Sequence, residues 1–112
     1  MAVTQAPPGY TIPYVLNAYK DATQRMCEYK NWDRSSIEQV WLLFIEEVGE
    51  LAGSIRRSRN QFKDEKQTKI EDELGDVFSY LFQLSSMMNI DLDLMWRKNQ
   101  VKAYKKMYYI KD

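Results

Sequence analysis

Acids at three-residue spacing occur twice in this 112-residue chain, as Glu47-Val48-Gly49-Glu50-Leu51 and Glu73-Leu74-Gly75-Asp76-Val77. In a helix, positions i and i+3 share a face, so each segment presents two carboxylates side by side. Glu47 falls on the stripe traced by Val40, Leu43, Phe44, Leu51 and Ile55, and Glu73 on the stripe of Ile70, Leu74, Val77, Leu81 and Leu84. A carboxylate on a core-facing stripe is costly unless a cation pairs it. Four residues after Glu47, Glu50, Glu73 and Asp76 stand Leu51, Ser54, Val77 and Tyr80, so no ion pair of that helical spacing neutralises the acids. Four carboxylates converging between two helices read as a site for a hard divalent cation. The competing reading is a pair of solvated acidic faces with local salt bridges.

Composition narrows the chemistry further. Histidine is absent, which excludes a Ser-His-Asp triad, a histidine-liganded zinc site and a histidine general base. Any metal must be held by oxygen, which favours Mg²⁺ or Mn²⁺ over zinc. The single cysteine, Cys27, has no histidine to activate it and cannot form an intrachain disulfide. It reads as a small core residue in a reducing, cytoplasmic setting. Sixteen basic residues balance sixteen acidic ones, so no global field recruits a nucleic-acid polymer or an anionic membrane. No apolar run approaches the ~20 residues of a membrane span.

The elements that must position the acids follow from periodicity and punctuation. Residues 1–11, with Ala6-Pro7-Pro8-Gly9, read as a flexible or extended arm, and 12–112 as one domain. Helical spacing predicts a first helix from Ile12 to Tyr29, interrupted by Asn31-Trp32-Asp33. Ser35 followed by Glu38 resembles a capping box and predicts a second helix from about Ser36 to Arg59. A third helix is predicted from Lys69 to Met88, and a fourth from Leu92 to Met107 after a stop and N-cap at Asn89-Ile90-Asp91. Four helices with short connections and no strand predict an all-α, four-helix antiparallel bundle. Mid-helix Gly49 and Gly75 each cost about 0.5–1 kcal/mol relative to alanine, so the spacing predicts close helix approach there. The residues Met87, Met88, Met95, Met107, Tyr104, Tyr108 and Tyr109 predict core or a subunit interface.

The run Glu46-Glu47-Val48-Gly49-Glu50-Leu51, then Glu73-Leu74-Gly75-Asp76-Val77, then Lys98-Asn99-Gln100-Val101-Lys102-Ala103-Tyr104 resembles the MazG-like nucleotide pyrophosphohydrolases of the all-α NTP pyrophosphatase superfamily. The resemblance spans about residues 25–106. It implies Mg²⁺-dependent cleavage of a nucleoside triphosphate between the α- and β-phosphates, a nucleotide-pool role, and a homodimer or homotetramer. By the same resemblance Glu47, Glu50, Glu73 and Asp76 are metal ligands, and Glu46 or Glu47 the general base. Trp32 matches an aromatic that stacks on the base, or else it staples the start of the second helix. Tyr80 matches a nucleotide-contacting tyrosine, or else it is core. Lys98, Asn99 and Lys102 match a segment that reaches the phosphates, although relatives carry asparagine near position 102 and arginines after it. A sister activity of the superfamily, hydrolysis of dUTP or of phosphoribosyl-ATP, and a non-catalytic helical interaction module are the alternatives.

Overall fold

The computed structural model describes residues 9–59 and 67–110. It holds four helices: α1 (Leu16–Tyr29), α2 (Ile37–Ser58), α3 (Gln67–Met87) and α4 (Leu92–Ile110), with a single 3₁₀ turn at Trp32–Arg34. No strand is present among the described residues, so the fold is all-α, as the periodicity predicts.

Local chemistry sets most of the boundaries. Ser36 caps α2, its Oγ accepting from the Gln39 N–H at 3.1 Å while the Gln39 side chain accepts from the Ser36 N–H at 2.9 Å. The capping box therefore sits one residue later than the Ser35–Glu38 pair expected from the sequence, because glutamine serves the third position as well as glutamate. Asn31 and Asn89 adopt left-handed backbone, with φ of 60° and 54°, and each breaks a helix where the sequence predicts a break. Asp91 caps α4 by accepting from the Leu94 N–H at 3.0 Å.

α1 is the exception. It starts at Leu16 instead of Ile12, and its N-cap residue, Val15, offers no capping side chain. The cap arrives from α4: the Asp93 carboxylate accepts from the N–H groups of Leu16 at 2.9 Å and Asn17 at 3.3 Å. Asn17 returns the bond, its Oδ1 accepting from the Leu92 N–H at 2.8 Å. Two helix N-termini thus satisfy each other's unpaired N–H groups. Lys20 adds a bond from its Nζ to the Ile90 carbonyl at 2.6 Å. The extended residues before α1 lie along α4, with the Arg97 guanidinium 4.2 Å from the Tyr14 ring centre and the Tyr10 hydroxyl donating to Gln100. The N-terminal arm expected over 1–11 lies mostly outside the described residues.

α3 is the centre of the packing, with α2 along one side and α1 along another, while α4 is attached chiefly to α1. Glu47 of α2 lies beside Asp76, and Val40, nearer the start of α2, shares a cavity with Gln83, nearer the end of α3. The two helices therefore run antiparallel. Val40, Ser54, Leu84 and Glu73 are buried, with Phe44, Leu51, Ile70 and Val77 half-buried. Further apolar residues remain exposed, Trp41, Ile45 and Val48 on α2 and Phe78 on α3, and with them Leu43, Ile55, Leu74 and Leu81, which the spacing places on the core-facing stripes. Gly49 and Gly75 do not mark close helix approach. An added Cβ at either would meet no atom within 4 Å, because both face away from the α2–α3 contact.

Candidate active site

The antiparallel α2–α3 pair carries the two acid motifs past each other. Glu47 is half-buried, and its Oε2 is enclosed without a hydrogen-bond partner. Glu73 is buried, and its Oε2 is enclosed and unpartnered in the same way. These are the first acids of the two motifs, one on each helix. Burial pushes the Glu47 carboxyl above its ordinary range, and the neighbouring charges of Glu50, Asp76 and Glu46 push it further. The second acids, Glu50 and Asp76, stay exposed, as does Glu46.

The acids come together less tightly than the sequence predicts. Among the described residues no group of three or more acidic or thiol side chains stands in a metal-binding arrangement. Glu73 is buried while Glu50 and Asp76 reach solvent.

Tyr80, one turn beyond Asp76, is half-buried beside the acids. Burial raises its hydroxyl pKa first, and Glu47, Asp76 and Glu46 raise it further, so it stays a protonated donor facing the carboxylates. Asp76 and Tyr80 also line one end of a cavity of about 860 Å³ bounded by α1, the 3₁₀ turn, the start of α2 and the second half of α3. Trp32 stands on its wall, as do Tyr19, Phe78 and Phe82. Phe82 stacks on Tyr19 at 6.0 Å and meets Phe78 at 6.1 Å between ring centres. An apolar, aromatic cavity leading to carboxylates suits a ligand with a flat apolar part and a strongly anionic part that requires a cation.

Lys98, Asn99 and Lys102 are not brought to this cavity. They are exposed on α4, where Lys98 and Lys102 line a separate shallow hollow of about 460 Å³ with Lys105, Lys106 and Val101. α4 leaves the end of α3 and packs on α1, so its lysines lie away from the acids of the same chain. Gln83 is the lining residue that spacing did not single out. It falls on α3 one turn before Met87, between Phe82 and Leu84, and only the packing of the 3₁₀ turn reveals it.

The family model of the MazG nucleotide pyrophosphohydrolase domain matches residues 35–107. The chain belongs to the MazG family. That match takes in both acid motifs, Tyr80 and the α4 lysines, and leaves out α1 and Trp32. No curated protein and no solved structure matches the chain. The MazG domain brings with it nucleotide pyrophosphohydrolase as the class of activity. No helix among the described residues is long and apolar enough to cross a membrane.

Proposed function

We propose that this MazG domain hydrolyses nucleoside triphosphates to the monophosphate and pyrophosphate in a Mg²⁺-dependent reaction, with Mn²⁺ able to replace Mg²⁺. The observation that carries the reading is the pair of enclosed, unpartnered oxygens on Glu47 and Glu73, in the acid region whose Asp76 and Tyr80 line an aromatic cavity. An enclosed carboxylate oxygen is stable only with a proton or a cation. The donor set is all oxygen, which fits a hard divalent ion.

Glu47, Glu50, Glu73 and Asp76 would hold the metal. A Mg²⁺ ion held there would offset triphosphate charge and would lower the pKa of a water. The chain's own part is positioning and proton transfer. Trp32 offers a stacking surface for the base, and Tyr80 holds a donor beside the acids. Glu47, whose proton affinity is raised, or the exposed Glu46 takes the proton from the attacking water. The α4 lysines could reach phosphate only from another copy of the chain. The exposed apolar stripes of α2 and α3 support such a homo-oligomer. A nucleotide-pool role in the cytoplasm accords with the lone free thiol, Cys27.

The deciding experiment is pyrophosphate release from a panel of canonical and modified nucleotides with Mg²⁺. Turnover should appear with Mg²⁺ or Mn²⁺, be weak with Ca²⁺, and vanish in excess chelator. Full activity in chelator would remove the metal from the scheme, and no release from any triphosphate would leave the non-catalytic module. Light scattering should show a dimer or larger species, and a monomer at high micromolar concentration would contradict the oligomer.

A further inference from the structure

Gln83 is buried, at 7 % exposure, yet lines the cavity. Its Nε2 donates to the Trp32 backbone carbonyl at 3.5 Å, which fixes which end of the amide points to the 3₁₀ turn. Its Oε1 has no partner among the described residues and is not one of the enclosed oxygens, and Gln83 is among the residues that line the cavity. The cavity's other walls are largely aromatic or aliphatic, with Trp32, Tyr19, Phe82 and Leu43 among them, and carry the small hydroxyls of Thr23, Ser35 and Ser79. An amide with one end bonded and an acceptor left free at a largely apolar cavity wall suits recognition, since a ligand that displaces water from the acceptor without replacing its bond loses more than a matched one gains.

We propose that Gln83 reads the base of the nucleotide and selects bases that carry an exocyclic amino group over their keto counterparts. The proposal rests on the cavity being the nucleotide site, as proposed above. With Trp32 beside it to stack on the ring, Oε1 accepts from an amino N–H at the ring edge. A keto oxygen at the same point would set two acceptors against each other. The long bond to Trp32 disfavours an amide flip, because turning the amide would place Oε1 against the Trp32 carbonyl. A site built to bond a polar substituent discriminates by leaving its own group unpaired with the wrong substrate.

The test uses pairs that differ only in this group: dCTP against dUTP, and dATP against dITP. Wild type should favour the amino member in each pair by on the order of tenfold in kcat/KM, one hydrogen bond's worth. Gln83→Leu should bring both ratios close to one, chiefly by raising KM for the amino substrate while kcat changes little. Equal handling of amino and keto partners by the wild-type enzyme overturns the proposal. Should Gln83→Leu fail to fold, titration of wild type with dCMP, dUMP, dAMP and dIMP reads the same preference by binding. If no triphosphate is cleaved, the proposed activity fails separately, and the monophosphate titration still decides on Gln83. Tighter binding of dCMP and dAMP supports it, and equal or absent binding of all four overturns it.

Discussion

Asp93 and Glu47 are carboxylates in helices of one chain, and the fold treats them in opposite ways. Both Asp93 oxygens accept backbone N–H bonds from the first turn of α1, and its neighbour Asp91 accepts from Asn17 Nδ2 at 2.9 Å and from Leu94. Those bonds, that from Asn17 first, hold the Asp91 carboxyl below its ordinary range. Glu47 and Glu73 instead keep enclosed oxygens with no donor, and burial raises Glu47. At the α1–α4 junction the acids complete the backbone. Between α2 and α3 they remain chemically unsatisfied. The contrast separates acids that hold the fold from acids available for chemistry, and it rests on where each oxygen finds a donor.

The sharpest way to break the comparison is to neutralise one acid of the α2–α3 set. Glu50→Gln or Asp76→Asn should lower turnover by about a hundredfold or more while leaving the metal-free protein as stable as wild type or more so. Wild type should gain melting temperature on adding Mg²⁺ through linkage, and both variants should gain much less. Equal Mg²⁺ stabilisation in all three proteins, or normal turnover in either variant, would falsify the site.

The converse change belongs at the junction. Asp93→Ala leaves the first N–H groups of α1 uncapped and should cost about 1–2 kcal/mol of stability, in the range of lost helix caps. Urea denaturation measures it, and the response to Mg²⁺ should stay that of wild type. An unchanged midpoint would show that Asp93 does not hold α4 to α1.

The smallest effects are in pH, and they have opposite signs. A depressed native pKa means that Asp91 contributes stability present above the ordinary value of 3.8 and lost as pH falls through the lower native value. A raised native pKa means that Glu47 contributes stability present below the ordinary value of 4.5 and lost as pH rises through the higher native value. Denaturation midpoints of the metal-free protein across that range should show an acid-side loss that Asp91→Asn removes. They should also show a decline on raising pH that Glu47→Gln removes. One variant abolishing both limbs would show that the two acid sets are not independent.

The sequence alone determined the all-α class, the four helices and the candidate acids. These follow from apolar spacing, caps and breakers acting over a few residues, as at Ser36, Asn89 and Asp91. It also placed Glu47 and Glu73 on apolar stripes, and both carry an enclosed oxygen, although Leu43, Ile55, Leu74 and Leu81 of those stripes are exposed. The start of α1 was not legible, because its cap is Asp93, distant in sequence and brought close only by packing. Nor was the open surrounding of Gly49 and Gly75, or the distance of the α4 lysines from the acids, since periodicity gives a face of a helix but not what stands opposite it. Gln83 is the clearest case. Its sequence neighbours mark it as one polar residue in the short apolar run from Tyr80 to Leu84, and only the 3₁₀ turn at Trp32 makes it a buried amide with one end bonded. Spacing is local and decides which side chains share a face. Burial and hydrogen-bond partners depend on distant segments meeting, so tertiary structure alone decided which polar groups were satisfied and which were left to bind.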